Sequence, residues 1–519
     1  MDLTLLQSQF ELAIGHQRAN QHAEAAGVYR GIVAAWPGHG DAWNNLGIAM
    51  KMMGDLDGAI AAFGRAIELL PGRGEVYAYL GHALRDCGQL DGAIEAYRRG
   101  LAVSPDPRTA DSMLMAMHAH PAFGRKELFE EHRDWEQQFA RGIAHLGGGF
   151  PAERLGTHPF RIGYVAADLG NHPLGRMLLP LLENHDQSQF ESYCYNDRAR
   201  PDEIAGRLRR AVGTWRETGN LSHGELARVI RSDGIDILVD LTMHGPGSRL
   251  LAFAERPAPV QTTYLAYAST TGLSAIDYRL TDPYLDPVGI DESLYFERSV
   301  RLSRTYWCYP EPSEAPDVSA APAVANGYLT FGCLNSFSKT NPQMMSVWAE
   351  VLGRVRDSRM LIHAQHGSHR ARTRDLFAQH GIDPNRIEFV DFAPLHQYFA
   401  NYNKIDVGLD TYPWAGGATT CDALWMGVPV VSLAGETAVS RGGLSILSNL
   451  GLSDLAAHSP EEFVRIATTL NLERIISLRS GLRGRMRASP VMNAAAFARD
   501  VEMAFRRMWS EKMGRSASS

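Results

Sequence analysis

Two kinds of residue in this chain have the types and spacing that chemistry needs. The first is the stretch from Asp410 to Leu433, where Gly416-Gly-Ala-Thr-Thr-Cys-Asp422 follows an apolar run ending at Val407 to Leu409. It predicts a strand, a glycine loop and a helix N-terminus, with Thr419 and Asp422 at the spacing of an S/T-x-x-D capping box. Such a junction presents backbone N–H groups backed by the positive end of a helix dipole, and can hold a phosphate or pyrophosphate without a metal. Alternatively, it is simply a capped helix. The second kind is a pair of histidines at strand ends. His172 lies in Asp168-Leu-Gly-Asn-His-Pro173, after the strand Ile162 to Ala166; His244 lies in Asp240-Leu-Thr-Met-His-Gly245, after Ile235 to Asp240. A neutral imidazole in such a place can take a hydroxyl proton near pH 7, or it is a hydrated or structurally bonded side chain. Asp168 could orient His172 or cap the following helix.

The elements that position these residues alternate in period. Further strands are expected at Glu191 to Tyr195, Val260 to Ala266 and Tyr278 to Thr281, with a helix over Glu225 to Arg231. Strands alternating with helices imply a parallel sheet covered on both faces. Pro310 to Asn326, with four prolines, reads as a linker. Beyond it the alternation restarts: Tyr328 to Cys333, a helix over Pro342 to Val355, Met360 to His363, a helix over Arg370 to His380, and Ile387 to Val390. Two doubly wound halves should take ligands at the carboxyl ends of their strands. A last helix over Ala494 to Trp509 carries Phe497, Val501, Phe505 and Trp509 on one face.

The N-terminal part repeats. Trp43, Leu46, Gly47, Gly54, Gly58, Ala59, Ile60, Phe63, Ile67 and Pro71 recur 34 residues later as Tyr77, Leu80, Gly81, Gly88, Gly92, Ala93, Ile94, Tyr97, Leu101 and Pro105, a period and pattern that resemble the tetratricopeptide repeat. Gly47 and Gly81 should let paired helices approach closely, and the prolines should stop the second helix of each pair. A weaker copy holds Leu12, Ala13, Ala25, Tyr29, Val33 and Pro37. Residues 108–150 look helical, with Met113, Leu114, Met117, Leu128, Phe129 and Trp135 as core candidates, until Gly147-Gly-Gly-Phe-Pro-Ala breaks the pattern.

The expected organisation is therefore about three tetratricopeptide repeats over 1–107, a helical connector over 108–155, an N-terminal Rossmann-like half over 156–310, and a C-terminal Rossmann-like half with its closing helix over 326–515. At 519 residues, 45% hydrophobic and 21% charged, the chain has enough material for about three domains. A net charge of −7 argues against a nucleic-acid partner. Five scattered cysteines fit a reducing compartment without a disulfide framework or zinc set. With no signal peptide and no apolar run of membrane-spanning length, a cytoplasmic location and no membrane partner are expected.

The repeats and two halves together, with Gly170-Asn-His-Pro173, Arg256-Pro-Ala-Pro-Val-Gln261, Lys339, and Leu409-Asp-Thr through Gly427-Val-Pro, resemble the O-linked N-acetylglucosamine transferase family and its plant relative SPINDLY, which transfers fucose from GDP-fucose to protein Ser and Thr. The resemblance implies a GT-B glycosyltransferase and inverting, metal-independent transfer from a UDP- or GDP-sugar to Ser or Thr of a protein or peptide lying along the repeat groove. No cofactor beyond the nucleotide-sugar donor is expected. The only D-x-D, Asp55-Leu-Asp57, lies inside a repeat and reads as a solvated turn.

Carried onto this chain, the family pattern gives Lys339 as the essential lysine, a fixed ammonium that stabilises the leaving diphosphate. Gly417, Ala418, Thr419 and Thr420 would bind the pyrophosphate and Asp422 the ribose. His172 would lie by the donor sugar as a candidate base, with Asp168 beside it, and His244 on the acceptor or sugar side. Animal members have Gly-His-Thr-Thr where this chain has Gly416-Gly-Ala-Thr419, so Gly417 takes the histidine's place. Tyr398 falls where they place a histidine against the base, and either stacks on it or packs in the core. The donor, GlcNAc or a fucose-like sugar, stays open. Some bacterial members modify flagellin with another nucleotide sugar; a non-catalytic repeat scaffold is the reading from a different class.

Overall fold

The structure is a computed structural model that describes residues 3–147, 159–198 and 202–516. The glycine break from residue 148 onward and the boundary expected at 155/156 lie outside the described residues. Strands β1 (Phe160–Ala166), β2 (Phe190–Asn196), β3 (Thr214–Glu217), β4 (Ile237–Asp240), β5 (Val260–Thr263), β6 (Tyr278–Thr281) and β7 (Arg298–Arg301) precede the proline-rich segment. After it come β8 (Thr330–Cys333), β9 (Arg359–His363), β10 (Ile387–Val390), β11 (Val407–Leu409), β12 (Val430–Leu433) and β13 (Ala456–Ala457). Helical tetratricopeptide repeats followed by two parallel-sheet, Rossmann-like domains are thus the fold, as expected. By contacts, the chain divides into one unit of Met1–Pro121 with Cys333–Ala393 and a second of Ala122–Gly332 with Pro394–Ser519.

In the first unit, paired helices run from Leu3–Arg18 to Leu90–Val103, and Pro107–Ala119 packs on the last of them. The repeat glycines do what their spacing implies: a Cβ at Gly47 would lie 2.6 Å from the Phe63 ring, and one at Gly81 would lie 2.5 Å from Tyr97. Ala59 and Ala93 are wholly buried, and the second helices end at Leu69 and Val103, just before Pro71 and Pro105. Leu12 departs from its copies. It is 54% exposed where Leu46 is 2% exposed.

Asp55-Leu-Asp57 also departs from expectation, because it is not simply a solvated turn. Asp55 caps its own helix by accepting from the Gly58 N–H at 2.9 Å. Asp57 accepts from both the N–H and the hydroxyl of Ser368, each at 2.6 Å, and so caps the helix Ser368–Gln379, whose own N-cap Gly367 has no side chain to offer. Lys339, half-buried, ends a 3-10 turn over Phe337–Lys339 in this same unit. The Phe337 ring is 5.0 Å from that of His369 and 3.0 Å from where a Cβ of Gly88 would stand, and Asn341 donates to the Ala119 carbonyl at 3.5 Å. The repeat turns therefore buttress the segment that carries Lys339.

In the second unit, a seven-stranded sheet has the order β3-β2-β1-β4-β5-β6-β7, with all neighbours parallel. Its central strands are buried apolar runs, as expected where helices cover both faces. The edge strands β3 (Thr-Trp-Arg-Glu) and β7 (Arg-Ser-Val-Arg) carry charge and escape a search for apolar runs. A second parallel ladder in this unit runs β8-β11-β12-β13. The closing helix Ala494–Ser516 buries Phe497, Val501 and Phe505 and meets Phe160 edge-on through Trp509. Glu502 fastens it, accepting from the Asp186 N–H at 2.8 Å and pairing with the buried His185 at 3.0 Å; His185 in turn meets the Tyr164 hydroxyl at 2.6 Å.

Candidate active site

The glycine loop after β11 leads into the helix Ala418–Trp425. Asp410, at the strand end, holds the loop by accepting from the Gly416 N–H at 2.8 Å. Gly417 is the N-cap, so Thr419 sits within the first turn and the expected capping box does not form. No side chain caps this helix. Gly417 is there for room: a Cβ would lie 2.7 Å from the ring of Trp307, which occupies the space a histidine side chain would need. Gly417, Ala418 and Thr419 are half-buried, and Thr420 is buried.

Asp422 lies one turn further in and is 3% exposed. One carboxylate oxygen accepts from the Tyr309 hydroxyl at 2.6 Å, the other from the Tyr398 hydroxyl at 3.0 Å. Tyr398 also meets the Tyr402 hydroxyl at 2.8 Å, and Tyr402 donates to the Thr419 carbonyl at 3.1 Å. Burial raises the Asp422 carboxyl above its ordinary range, against the Tyr309 hydrogen bond, the nearby Arg176 charge and the Tyr398 hydrogen bond. Burial and the adjacent carboxylate push both tyrosines well above theirs, so their hydroxyls stay protonated and donate. Tyr398 is half-buried and tied to the helix through its hydroxyl.

The same unit brings the start of the helix Pro173–Asn184 to this place. Pro173, Arg176 and Met177 line one pocket with Tyr309, Ala418 and Asp422. His172, exposed, is the N-cap of that helix, its Nδ1 accepting from the Leu174 N–H at 3.4 Å. That contact puts the neutral ring's proton on Nε2, so in this arrangement the outward nitrogen donates. Desolvation lowers the His172 pKa; Asp168 opposes this, and Arg176 and Arg198 add to it. Asp168 neither caps the helix nor hydrogen-bonds His172. It accepts from the Gly170 N–H at 3.1 Å and from Arg198 at 3.0 Å.

His244 takes the structural alternative. It is 1% exposed, its Nε2 donates to the Thr271 carbonyl at 2.7 Å, and its ring meets His132 and Trp135 edge-on. Its loop hangs on buried Asp240, which accepts from the Thr242 and Met243 N–H groups and the Thr263 hydroxyl; desolvation raises that carboxyl to about 6. Sequence reasoning missed Arg176, Trp307 and Tyr309. The available signal was the aromatic run Tyr306-Trp-Cys-Tyr309 just before the prolines. Among the described residues, no group of three or more His, Cys, Asp or Glu side chains is arranged to hold a metal ion, and no helix is long and apolar enough to cross a membrane.

A family model described as glycosyl transferase family 41 matches residues 149–310 and 321–501, and tetratricopeptide-repeat models match 10–74 and 51–117. A probable UDP-N-acetylglucosamine–peptide N-acetylglucosaminyltransferase SPINDLY from Solanum lycopersicum is 34% identical over 79% of this chain and 45% of its own length. The corresponding SEC protein of Arabidopsis thaliana is 28% identical over 70% and 38%. The chain thus spans about half the length, or less, of these curated relatives. Among solved structures, a lysine-to-methionine mutant of the Thermobaculum terrenum O-GlcNAc transferase is 33% identical and superposes with a TM-score of 0.91 over 98% of both chains.

Proposed function

Because the chain belongs to glycosyl transferase family 41, we propose that it is an inverting, metal-independent protein O-glycosyltransferase acting from a nucleotide sugar on Ser or Thr hydroxyls. The observation that carries this reading is the Asp422 pocket: a buried carboxylate gripped by two tyrosines at the start of a helix that no side chain caps. The start of this helix, around Ala418 to Thr420, suits a diphosphate, and Asp422 suits a ribose hydroxyl. Lys339 stabilises the leaving diphosphate as negative charge accumulates on it. His172 donates from Nε2 to the donor; to act as base it must first give up the Leu174 contact.

The names of the relatives favour GlcNAc as the sugar, and the resemblance to SPINDLY keeps a fucose-like donor in play. The repeats supply a groove for an extended protein acceptor. The chemistry needs neither cofactor nor metal, and a cytoplasmic setting suits a nucleotide-sugar donor.

A thermal-shift panel of nucleotide sugars and nucleoside diphosphates against wild type and Lys339→Ala tests this. One donor should raise the wild-type melting temperature by a few degrees, and Lys339→Ala should lower peptide-transfer turnover about a hundredfold or more, with wild-type transfer unchanged by EDTA. Absence of any nucleotide-dependent shift in the wild type would move the scaffold reading to the front.

A further inference from the structure

The pocket described above contains a cation that the proposed reaction has not used. Among the described residues, the half-buried guanidinium of Arg176 has no hydrogen bond and no ion pair. Yet Arg176 lines the pocket with Asp422 and Tyr309. Helix dipoles add to this positive charge. Pro173 and Ala418, the first residues of two helices, both line it, so two helix N-termini meet there. The Asp422 carboxylate shares the pocket, its oxygens accepting from the Tyr309 and Tyr398 hydroxyls while Arg176 acts on it through its charge alone. A guanidinium with no hydrogen bond, lining a pocket with two helix starts, presents a fork of N–H donors matched to an oxyanion.

We infer that Arg176 is an anion-binding residue of the donor pocket, pairing with an oxyanion of the nucleotide sugar. This rests on the glycosyltransferase reading and names a contact that reading does not contain. Two parts of a donor could supply the oxyanion: its diphosphate, or the carboxylate of an acidic sugar.

The test is isothermal titration of the full chain, as wild type, Arg176→Met and Arg176→Lys, with UDP, GDP, their nucleosides, UDP-GlcNAc and UDP-glucuronic acid at low and moderate salt. Expected is a loss of about tenfold or more in affinity for Arg176→Met, a weaker salt dependence than wild type, unchanged nucleoside binding, and partial recovery in Arg176→Lys. A loss shared by the diphosphates and both sugar nucleotides identifies the diphosphate as the oxyanion; a loss confined to UDP-glucuronic acid identifies the carboxylate. If Arg176→Met binds every ligand as the wild type does, the inference is overturned and the glycosyltransferase reading stands. If the wild type itself binds no nucleoside diphosphate or sugar nucleotide, both fall. Arg176→Lys retains the charge and serves as the variant if Arg176→Met melts early, the inference then requiring weaker diphosphate binding with the salt dependence kept.

Discussion

His172 and His244 follow neighbouring parallel strands, β1 and β4, of one sheet, and the sequence presents them in the same way. They end in opposite conditions. His172 is exposed, caps a helix through one nitrogen and turns the other outward; His244 is 1% exposed and spends its Nε2 on the Thr271 carbonyl. What separates them is what comes next in the chain. Pro173 starts a helix at once, which keeps His172 at the rim. After β4, Asp240 ties the Thr242 and Met243 N–H groups back into the core, and His244 is carried inward beneath His132 and Trp135. A histidine at a strand end is therefore a site candidate only when the loop leaves it outside.

The largest effect expected from this contrast is on His244. Replacing it with alanine empties a packed space and orphans a buried carbonyl, so chemical denaturation should show a loss of about 3 kcal/mol, while whatever protein remains folded keeps its nucleotide affinity. His172→Ala should reverse the pattern. Turnover should fall about a hundredfold, and the denaturation midpoint should barely move. If the two variants behave alike, the contrast is wrong. A smaller effect separates capping from chemistry: His172→Asn should recover the cap, worth about 1 kcal/mol or less, without recovering turnover.

The smallest effect is a matter of pH. The folded pKa of His172 is lowered, so between it and the unfolded value near 6.5 the unfolded chain holds more proton. Stability from this group is complete above about pH 6.5 and declines as pH falls towards the folded value. His172→Asn should flatten that limb of the melting-temperature profile; an unchanged slope would mean that His172 is as solvated folded as unfolded.

Much of the fold was legible because its signals are local. The 34-residue recurrence and the switch to short apolar runs are visible in any window, and helix starts such as Pro342 and Ala494 came out where expected. Asp422 was legible as a polar residue near a helix start, but its partners were not. Tyr309 lies just before the segment read as a linker, 113 residues away, and only folding brings the two hydroxyls to that carboxylate. The capping-box spacing misled because Gly417, not Thr419, occupies the N-cap. Asp57 was read as a solvated residue because its ligand, Ser368, is 311 residues further on.

That last contact bears on how the repeat array can change in length. Asp57 and Gly88, at two successive repeat turns, and Ala119, at the end of the next helix, touch the segments around Ser368 and Phe337–Asn341, so their spacing is locked to that of a folded strand-and-helix unit. A repeat inserted after Asp57 would slide the later turns off their partners. One added before Gly40 would disturb none of the three. An array built this way has a fixed end and a growing end, and extra length can be gained only at the growing one.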